Sequence, residues 1–99
     1  MDQSDYLLRL ASRVRQAILK RDFDALERLN HEVHDVVSGM ATKQALNVAE
    51  RESLVLLRVA HRAAIALLAS ESERLVDAMS GLRTRRAGWD AYAAQGGLR

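Results

Sequence analysis

The sequence predicts an all-α fold, an antiparallel helical bundle of three helices with a long third helix plus a short C-terminal fourth helix. The chain of 99 residues contains no proline and five glycines. It is rich in Ala, Leu, Arg and Glu, which favour helices. Apolar residues recur every three or four positions along most of the chain, which is the spacing of amphipathic helices. Its length corresponds to one domain.

The first two helices are expected to form a hairpin. Ser4 or Asp5 is a candidate N-cap of the first helix, and Asp22 is a candidate N-cap of the second. The connection at residues 20–22 is short enough for a tight turn, and Gly39 stands near the expected end of the second helix. The apolar positions are Leu7, Leu10, Ala11, Val14, Ala17 and Ile18 in the first helix and Leu26, Leu29, Val33, Val36 and Met40 in the second.

The third helix is expected to begin at Asn47, because Glu50 follows three residues later as in a capping box. Its pattern continues to about Ser80, before Gly81. Residues 54–69 are apolar almost all round, which predicts burial at the centre of the bundle. The expected core consists of Leu10, Val14, Leu26, Leu29, Val33, Leu57, Ala64 and Leu68.

From residue 70 onward a narrow apolar seam remains on the third helix, and it requires a partner. The seam residues are Leu75, Ala78, Met79 and Leu82. Such a stripe is the kind of surface that two copies of a chain bury together in an isologous dimer. The sequence therefore predicts that either a second copy of the chain, in a homodimer, or the chain's own C-terminal tail covers this seam.

Residues 82–94 are expected to form a short fourth helix that carries Trp89 and Tyr92 near one face, behind Arg83, Arg85 and Arg86. Exposed aromatic rings of this size leave roughly 150–250 Å² of apolar surface each in water. A helix of about 13 residues is not stable alone. We therefore expect residues 82–99 to form a C-terminal amphipathic helix and tail, which packs as a removable cover on a helical bundle of residues 1–81 within a single domain.

Few residues have the spacing of a catalytic or metal site. His31, Glu32 and His34 resemble a zinc-protease helix, but that chemistry needs histidines four residues apart and these are three apart. His31, His34 and Asp35 are interpreted as a solvated helix face. His61, beside two arginines, is interpreted as a boundary residue. No catalytic residue, metal or cofactor is expected.

Composition and charge restrict the classes of partner. The chain has no cysteine, which excludes a disulfide framework. A net charge of +2 with acids and bases interspersed does not provide the basic field that nucleic acid needs. The polar start is unlike a secretory signal, and residues 54–69 are interrupted by basic side chains and shorter than the roughly 20 residues that span a bilayer. We expect a cytoplasmic protein without membrane insertion.

The end of the chain resembles the flagellar export chaperone FliT family. Members of that family close a short all-helical chain with a Tyr-x-x-Gln-Gly-Gly signature, which matches Tyr92, Gln95, Gly96 and Gly97 here. Helical segments precede the motif in the order and with about the lengths of the family. The resemblance covers most of the chain, and its specific part is this motif.

The resemblance implies a function as a flagellar type III export chaperone. It would bind the C-terminal region of the filament-cap protein, deliver it to the export apparatus and contact the export ATPase complex. Some members of the family also bind the flagellar master transcription regulator. An amphipathic client helix would dock on apolar side chains of the third helix. The candidate partner-binding residues are Leu56, Val59, Ala63, Leu67, Leu75, Met79, Leu82, Trp89 and Tyr92.

Two other functions stay open. The first is a small all-helical enzyme of the chorismate mutase type, whose pocket holds a dianion with inward arginines. Against it, Arg9 and Arg13 are on the polar face of the first helix, while Arg58 and Arg62 are on the polar stripe of the third. The charges are therefore expected to diverge. The second is a structural helical adaptor, which has the same apolar stripes and differs in binding its partner permanently.

Overall fold

The computed structural model describes residues 2–43 and 45–96, with side-chain environments up to Tyr92. These residues form three α-helices, α1 over Ser4–Lys20, α2 over Phe23–Ala41 and α3 over Val48–Gly96. No strand occurs within the described ranges. The predicted all-α fold is confirmed.

The chain divides into two units after Leu68. The first unit, Met1–Leu68, contains α1, α2 and the first part of α3, and the second unit, Ala69–Arg99, contains the rest of α3. The sequence placed the corresponding boundary after residue 81. That the whole chain is a single domain stays a prediction.

α1 and α2 form the expected hairpin through a tight turn at Arg21. Arg21 adopts a left-handed conformation with φ of 51°, and its backbone N–H and that of Asp22 donate to the carbonyls of Ile18 and Ala17. This arrangement is a Schellman motif, in which glycine is the usual residue. The Asp22 side chain then accepts a hydrogen bond of 3.1 Å from the Ala25 N–H, so its predicted capping role is confirmed.

The cap of α1 differs from the prediction. Neither Ser4 nor Asp5 precedes the helix, because α1 already begins at Ser4. The carboxylate of Asp2 instead accepts a hydrogen bond of 2.7 Å from the Ser4 N–H, and this bond lowers the pKa of Asp2. The helix starts earlier than expected, so the acceptor comes from a residue closer to the chain end.

The core of the first unit joins all three helices. Seven of the eight expected core residues are buried, and Leu57 is 0% exposed. The eighth, Leu68, is partly buried and packs against the core. The buried apolar residues are Leu7, Leu10, Ala11, Val14 and Ala17 from α1, Leu26, Leu29, Val33 and Met40 from α2, and Leu54, Leu57, Ala60 and Ala64 from α3.

The start of α3 is a capping box, as the sequence predicted. The Asn47 side chain accepts from the Glu50 N–H at 2.7 Å, and the Glu50 carboxylate accepts from the Asn47 N–H at 3.2 Å. Glu50 is 2% exposed, and it also accepts from the Gln3 N–H and the Lys43 ammonium group. One buried carboxylate therefore links the start of α3 to the start of α1 and to the α2–α3 connection.

The expected separate fourth helix is not present, since α3 continues through Gly81 and Gly88 to Gly96. Neither glycine adopts a positive φ, so neither terminates the helix. A glycine inside a helix costs roughly 0.5–1 kcal/mol relative to alanine, and the surrounding Ala, Leu and Arg residues favour the helix. Gly39 behaves in the same way, because α2 continues past it to Ala41.

One segment of α3 meets the length and hydropathy criteria for crossing a membrane, with a mean hydropathy of 1.5. Core helices also meet these criteria, and α3 contributes Leu54, Leu57 and Ala64 to the core of the first unit. The expectation that this helix does not enter a membrane stays a prediction.

Candidate partner-binding surfaces

In the first unit, α3 has an exposed apolar face in addition to its buried one. This outer face of α3 consists of Val48, Val55, Leu56, Val59 and Ala63, all of which are exposed. Val59 is 60% exposed, although Leu57 and Ala60, which are close to it in sequence, are buried. The reason is that successive helix positions are rotated by about 100°, so neighbouring residues face different directions. The helix therefore presents apolar side chains both to the core and to solvent.

Sequence reasoning identified part of this face. Leu56, Val59 and Ala63 are exposed as the partner-binding prediction requires. Val48 and Val55 were missed, although their spacing of seven residues, followed by Val59 four residues later, is a helical-face pattern that a wider window would have detected.

Leu67 differs from the other candidates because it is partly buried and packs against the core. It follows the buried residue Ala60 by seven positions and the buried residue Ala64 by three, so it lies on the core face of α3. Its predicted role in partner binding stays a prediction.

In the second unit, the predicted seam is exposed. We call Leu75, Ala78, Met79 and Leu82 the C-terminal seam. Leu75 is 49% exposed, Met79 52% and Leu82 58%. Because these residues recur at intervals of three, four and seven, they share one side of the helix.

Trp89 and Tyr92 also lie on the second unit, and each is 70% exposed. Their rings contact each other edge to face, with centroids 6.2 Å apart and an interplanar angle of 89°. Together with Arg85 and Gly88 they line a shallow pocket. They belong to α3 and not to a separate helix, so the expected removable cover is not formed as such. Burial of the two rings against a partner stays a prediction.

Two of the arginines considered for an enzyme site, Arg9 and Arg13, lie on α1. Arg13 forms an ion pair of 3.0 Å with Glu32, and the same carboxylate accepts a hydrogen bond of 3.0 Å from the Tyr6 hydroxyl. Burial, followed by this hydrogen bond, raises the pKa of Tyr6. Arg9 is exposed on α1. Arg13 therefore joins α1 to α2, and it also lines a cleft between these two helices.

α2 contains two histidines, His31 and His34. His31, His34 and Asp35 are exposed, in agreement with the solvated-face interpretation. Within the described residues, no group of three His, Asp or Glu side chains lies close enough together to hold a metal ion.

His61 is half-buried at the boundary of the core, as the sequence predicted. Its Nε2 is hydrogen-bonded to the Asn30 side chain, and burial, followed by the nearby charge of His34, lowers its pKa. Together with Arg58 and Arg62, the two histidines line one cleft between α2 and α3. Sequence analysis missed this convergence because the four basic side chains come from two helices.

No protein-family model matches this chain, and no significant similarity to a curated protein or to a solved structure was found.

Proposed function

We propose that this chain is a flagellar type III export chaperone that binds the C-terminal region of the filament-cap protein. The observation that carries the proposal is the exposed outer face of α3 in the first unit. Contiguous exposed apolar side chains on a small protein are typical of a protein-binding site. The FliT-like motif supplies the biological context, with Tyr92, Gln95 and Gly96 inside α3 and Gly97 outside the described residues.

The chemistry of this face suits an amphipathic client helix. Val55, Val59 and Ala63 are short or branched apolar side chains, so a second helix can approach them closely. Recognition of this kind uses apolar anchors spaced three, four and seven residues apart and needs no cofactor or covalent step. Binding would be reversible, because release to the export apparatus is part of a chaperone's function.

The remaining parts of the proposal follow from the same resemblance. Delivery to the export ATPase complex requires a second contact, and the exposed Trp89 and Tyr92 supply aromatic side chains of the kind enriched in interfaces. Binding of the flagellar master transcription regulator is a further proposed role. All of these partners are cytoplasmic proteins, which agrees with the expected location.

The test is binding of the purified full chain to the C-terminal segment of the filament-cap protein by isothermal titration calorimetry. In the variant Val59→Glu/Ala63→Glu, two carboxylates replace apolar contacts, so affinity should fall at least tenfold. The matched control is Ser12→Glu/Gln16→Glu, which places the same residues at the same spacing on exposed positions of α1. The control should bind like the wild type.

Two results would contradict the proposal. One is wild-type affinity in a Val59→Glu/Ala63→Glu variant whose helical content is unchanged. The other is absence of binding by the wild type. A complex that forms but does not exchange with free client would instead support the structural adaptor, because an adaptor holds its partner permanently.

Trp89 gives an independent readout, since it is the only tryptophan in the chain. At 70% exposure, its emission should be that of a largely solvated indole. A blue shift on addition of client would show that the second unit takes part in client binding. An unchanged emission, with heat released on binding, would restrict the client to the first unit.

A further inference from the structure

The cleft between α2 and α3 in the first unit brings together four basic side chains. Its lining residues are Val33, His34, Val37, Arg58, His61 and Arg62. Within the described part of the chain, no carboxylate is among them. The volume of the cleft is about 250 Å³, many times the roughly 10–15 Å³ that a single water needs. The cleft therefore has room for a small ligand of negative charge.

The two arginines of this cleft have no partner of opposite charge in the chain. Arg58 and Arg62 are exposed and lie four residues apart on α3, so they share one side of the helix. Among the described residues, the basic side chains in ion pairs are those of Arg13, Lys43 and Arg74. The charges of Arg58 and Arg62 are therefore not neutralised by an ion pair within the described ranges.

A second basic cleft adjoins the first. It shares Val37 and Arg58 with the first cleft and adds Lys43 and Arg51 to the lining. Lys43 is paired with Glu50, whereas Arg51 forms no ion pair with another described residue. Charges of one sign gathered along a cleft raise the local concentration of ions of the opposite sign. The region between α2 and α3 is therefore suited to attract anions.

The two histidines also favour an anion in this cleft. The nearby charge of His34 is, after burial, a cause that lowers the pKa of His61, so the two rings are close enough to repel each other when both are protonated. Arg58 and Arg62 face the same cleft from α3, and α1 contributes no residue to its described lining. An anion among these four side chains would offset their mutual repulsion.

We infer that this cleft binds a phosphate group, either as free inorganic phosphate or as part of a small phosphomonoester. The guanidinium groups of Arg58 and Arg62 match the geometry of phosphate oxygens and would donate charge-assisted hydrogen bonds to them. A phosphate group has a charge of about −1.5 to −2 at neutral pH, which balances both arginines. A single carboxylate balances one of them. In an ester, Val37 would contact the organic part.

This inference does not rest on the proposed chaperone function. The phosphate site lies in the cleft between α2 and α3, whereas the proposed client surface is the outer face of α3, with Val55 and Val59. The experiments below use the purified full chain without a client. Failure of the phosphate site and failure of the chaperone proposal are therefore separate results.

The first test is an NMR titration of the histidine ring signals with inorganic phosphate at constant pH and ionic strength. The signals of His34 and His61 should shift along one saturable curve. His31, exposed on α2 and outside the cleft, is the internal control and should not shift. The same titration with glycerol phosphate distinguishes the two sources, because tighter binding of the ester assigns a phosphomonoester and tighter binding of inorganic phosphate assigns the free ion.

Charge variants test whether the arginines hold the anion. Arg58→Gln/Arg62→Gln removes both guanidinium groups, so phosphate affinity should fall at least tenfold. The matched control is Arg9→Gln/Arg15→Gln, which removes the same charge from exposed positions of α1 and should bind phosphate like the wild type. Circular dichroism checks that both variants keep their helical content.

A third measurement follows the protonation of His61. Its pKa should be higher in sulfate than in chloride at the same ionic strength, because a bound dianion stabilises the protonated ring. Sulfate is the probe in this experiment because, unlike phosphate, it keeps its charge across the range of about pH 5–8 in which histidine titrates. The difference between the two salts should disappear in Arg58→Gln/Arg62→Gln.

Three outcomes would overturn the inference. The first is a titration in which the signals of His34 and His61 show no saturable shift with either phosphate compound. The second is an equal loss of affinity in Arg58→Gln/Arg62→Gln and in the α1 control, which would assign binding to the net charge of the chain. The third is binding of acetate as tightly as phosphate, because a phosphate site should bind this carboxylate at least tenfold more weakly.

Discussion

The two parts of α3 differ in how far their apolar side chains are buried. In the first unit, the core face of α3 is buried against α1 and α2, and Leu57 is fully enclosed. In the described part of the second unit α3 is the one helix, and apolar residues such as Leu82 are exposed. The difference teaches that amphipathicity alone does not determine whether an apolar stripe is buried within its own chain.

The polar contacts of the two parts of α3 also differ, in how far apart along the chain the contacting residues lie. Near the start of α3, Glu50 accepts a hydrogen bond from Gln3, 47 positions earlier in the chain. In the second unit, the contacts from Arg74 to Glu71 and from Thr84 to Ser80 join residues three or four apart. Contacts between distant segments stabilise the tertiary fold, whereas local contacts stabilise the helix alone.

The largest expected difference comes from shortening one leucine in each part of the helix. Leu57→Ala should lower the free energy of unfolding by about 2–5 kcal/mol, because it leaves a cavity in the core. Leu82→Ala, the matched control in the second unit, should change it by less than about 0.5 kcal/mol in the monomer. Urea denaturation at low protein concentration measures both values. Equal losses in the two variants would mean that the two stripes have the same role.

The next effect concerns the buried carboxylate that links α3 to the rest of the first unit. This carboxylate belongs to Glu50. Its hydrogen bond with the Lys43 side chain is the largest cause that lowers its pKa below the usual value of 4.5, followed by its hydrogen bond with the Asn47 backbone. The folded state therefore binds fewer protons at this site than the unfolded state. The resulting stability is present above pH 4.5 and is lost as the pH falls through the lowered pKa of the folded state.

Glu50→Gln should thus destabilise the first unit at neutral pH, by less than Leu57→Ala does, and should flatten the acid limb of the stability curve. Glutamine retains the geometry of the capping box but removes the ion pair with Lys43. Glu52→Gln, at an exposed position two residues later, is the control and should leave the curve unchanged. Thermal unfolding between pH 3 and 7 tests this, and an unaltered acid limb in Glu50→Gln would refute it.

A smaller pH effect is expected from His61. Burial, followed by the charge of His34, holds its pKa below 6.5, so the unfolded state takes up a proton first as the pH falls. Stability should decrease as the pH drops below 6.5 and level off below the lowered pKa of the folded state. His61→Gln retains a donor for Asn30 and should remove this loss of stability below pH 6.5. The control His31→Gln, at an exposed position, should still show the loss. Persistence of the loss in His61→Gln would assign it to another group.

The smallest effect is expected at the turn between α1 and α2. Arg21 is held at a positive φ of 51°, where glycine has no Cβ penalty. Arg21→Gly should therefore raise the free energy of unfolding by about 0.5–1 kcal/mol. Arg21→Ala, which retains the Cβ atom, should give no such gain. A loss of stability in Arg21→Gly would show that the arginine side chain contributes contacts that outweigh the backbone strain.

Much of the first unit could be predicted because its signals are local. Asp22 and the pair of Asn47 and Glu50 act on backbone groups within three residues, so their sequence spacing was sufficient. The break expected at Gly81 was wrong, because a glycine residue alone does not specify the backbone conformation that ends a helix. Glycine ends a helix only where the backbone turns left-handed, and nothing in the neighbouring sequence determines that turn.

The surfaces were harder to predict, because residues 54–69 are apolar on almost every side. Periodicity does not say which side of such a helix faces the core, so Leu67 was assigned to the partner surface and Val55 was overlooked. The cleft with His34 and His61 combines two helices. The side chains that line this cleft depend on how α2 and α3 are aligned with each other. The sequence of either helix alone does not specify that alignment.

The sequence by itself determined the helical class, the hairpin, the capping box and the identity of most core residues, because each of these follows from interactions within a few residues or from a one-sided apolar pattern. Tertiary structure decided which face of α3 is buried and how Glu50, Arg13 and His61 are partnered. These features depend on how separate helices pack, and packing is set by the combined shape and charge of all the faces that meet.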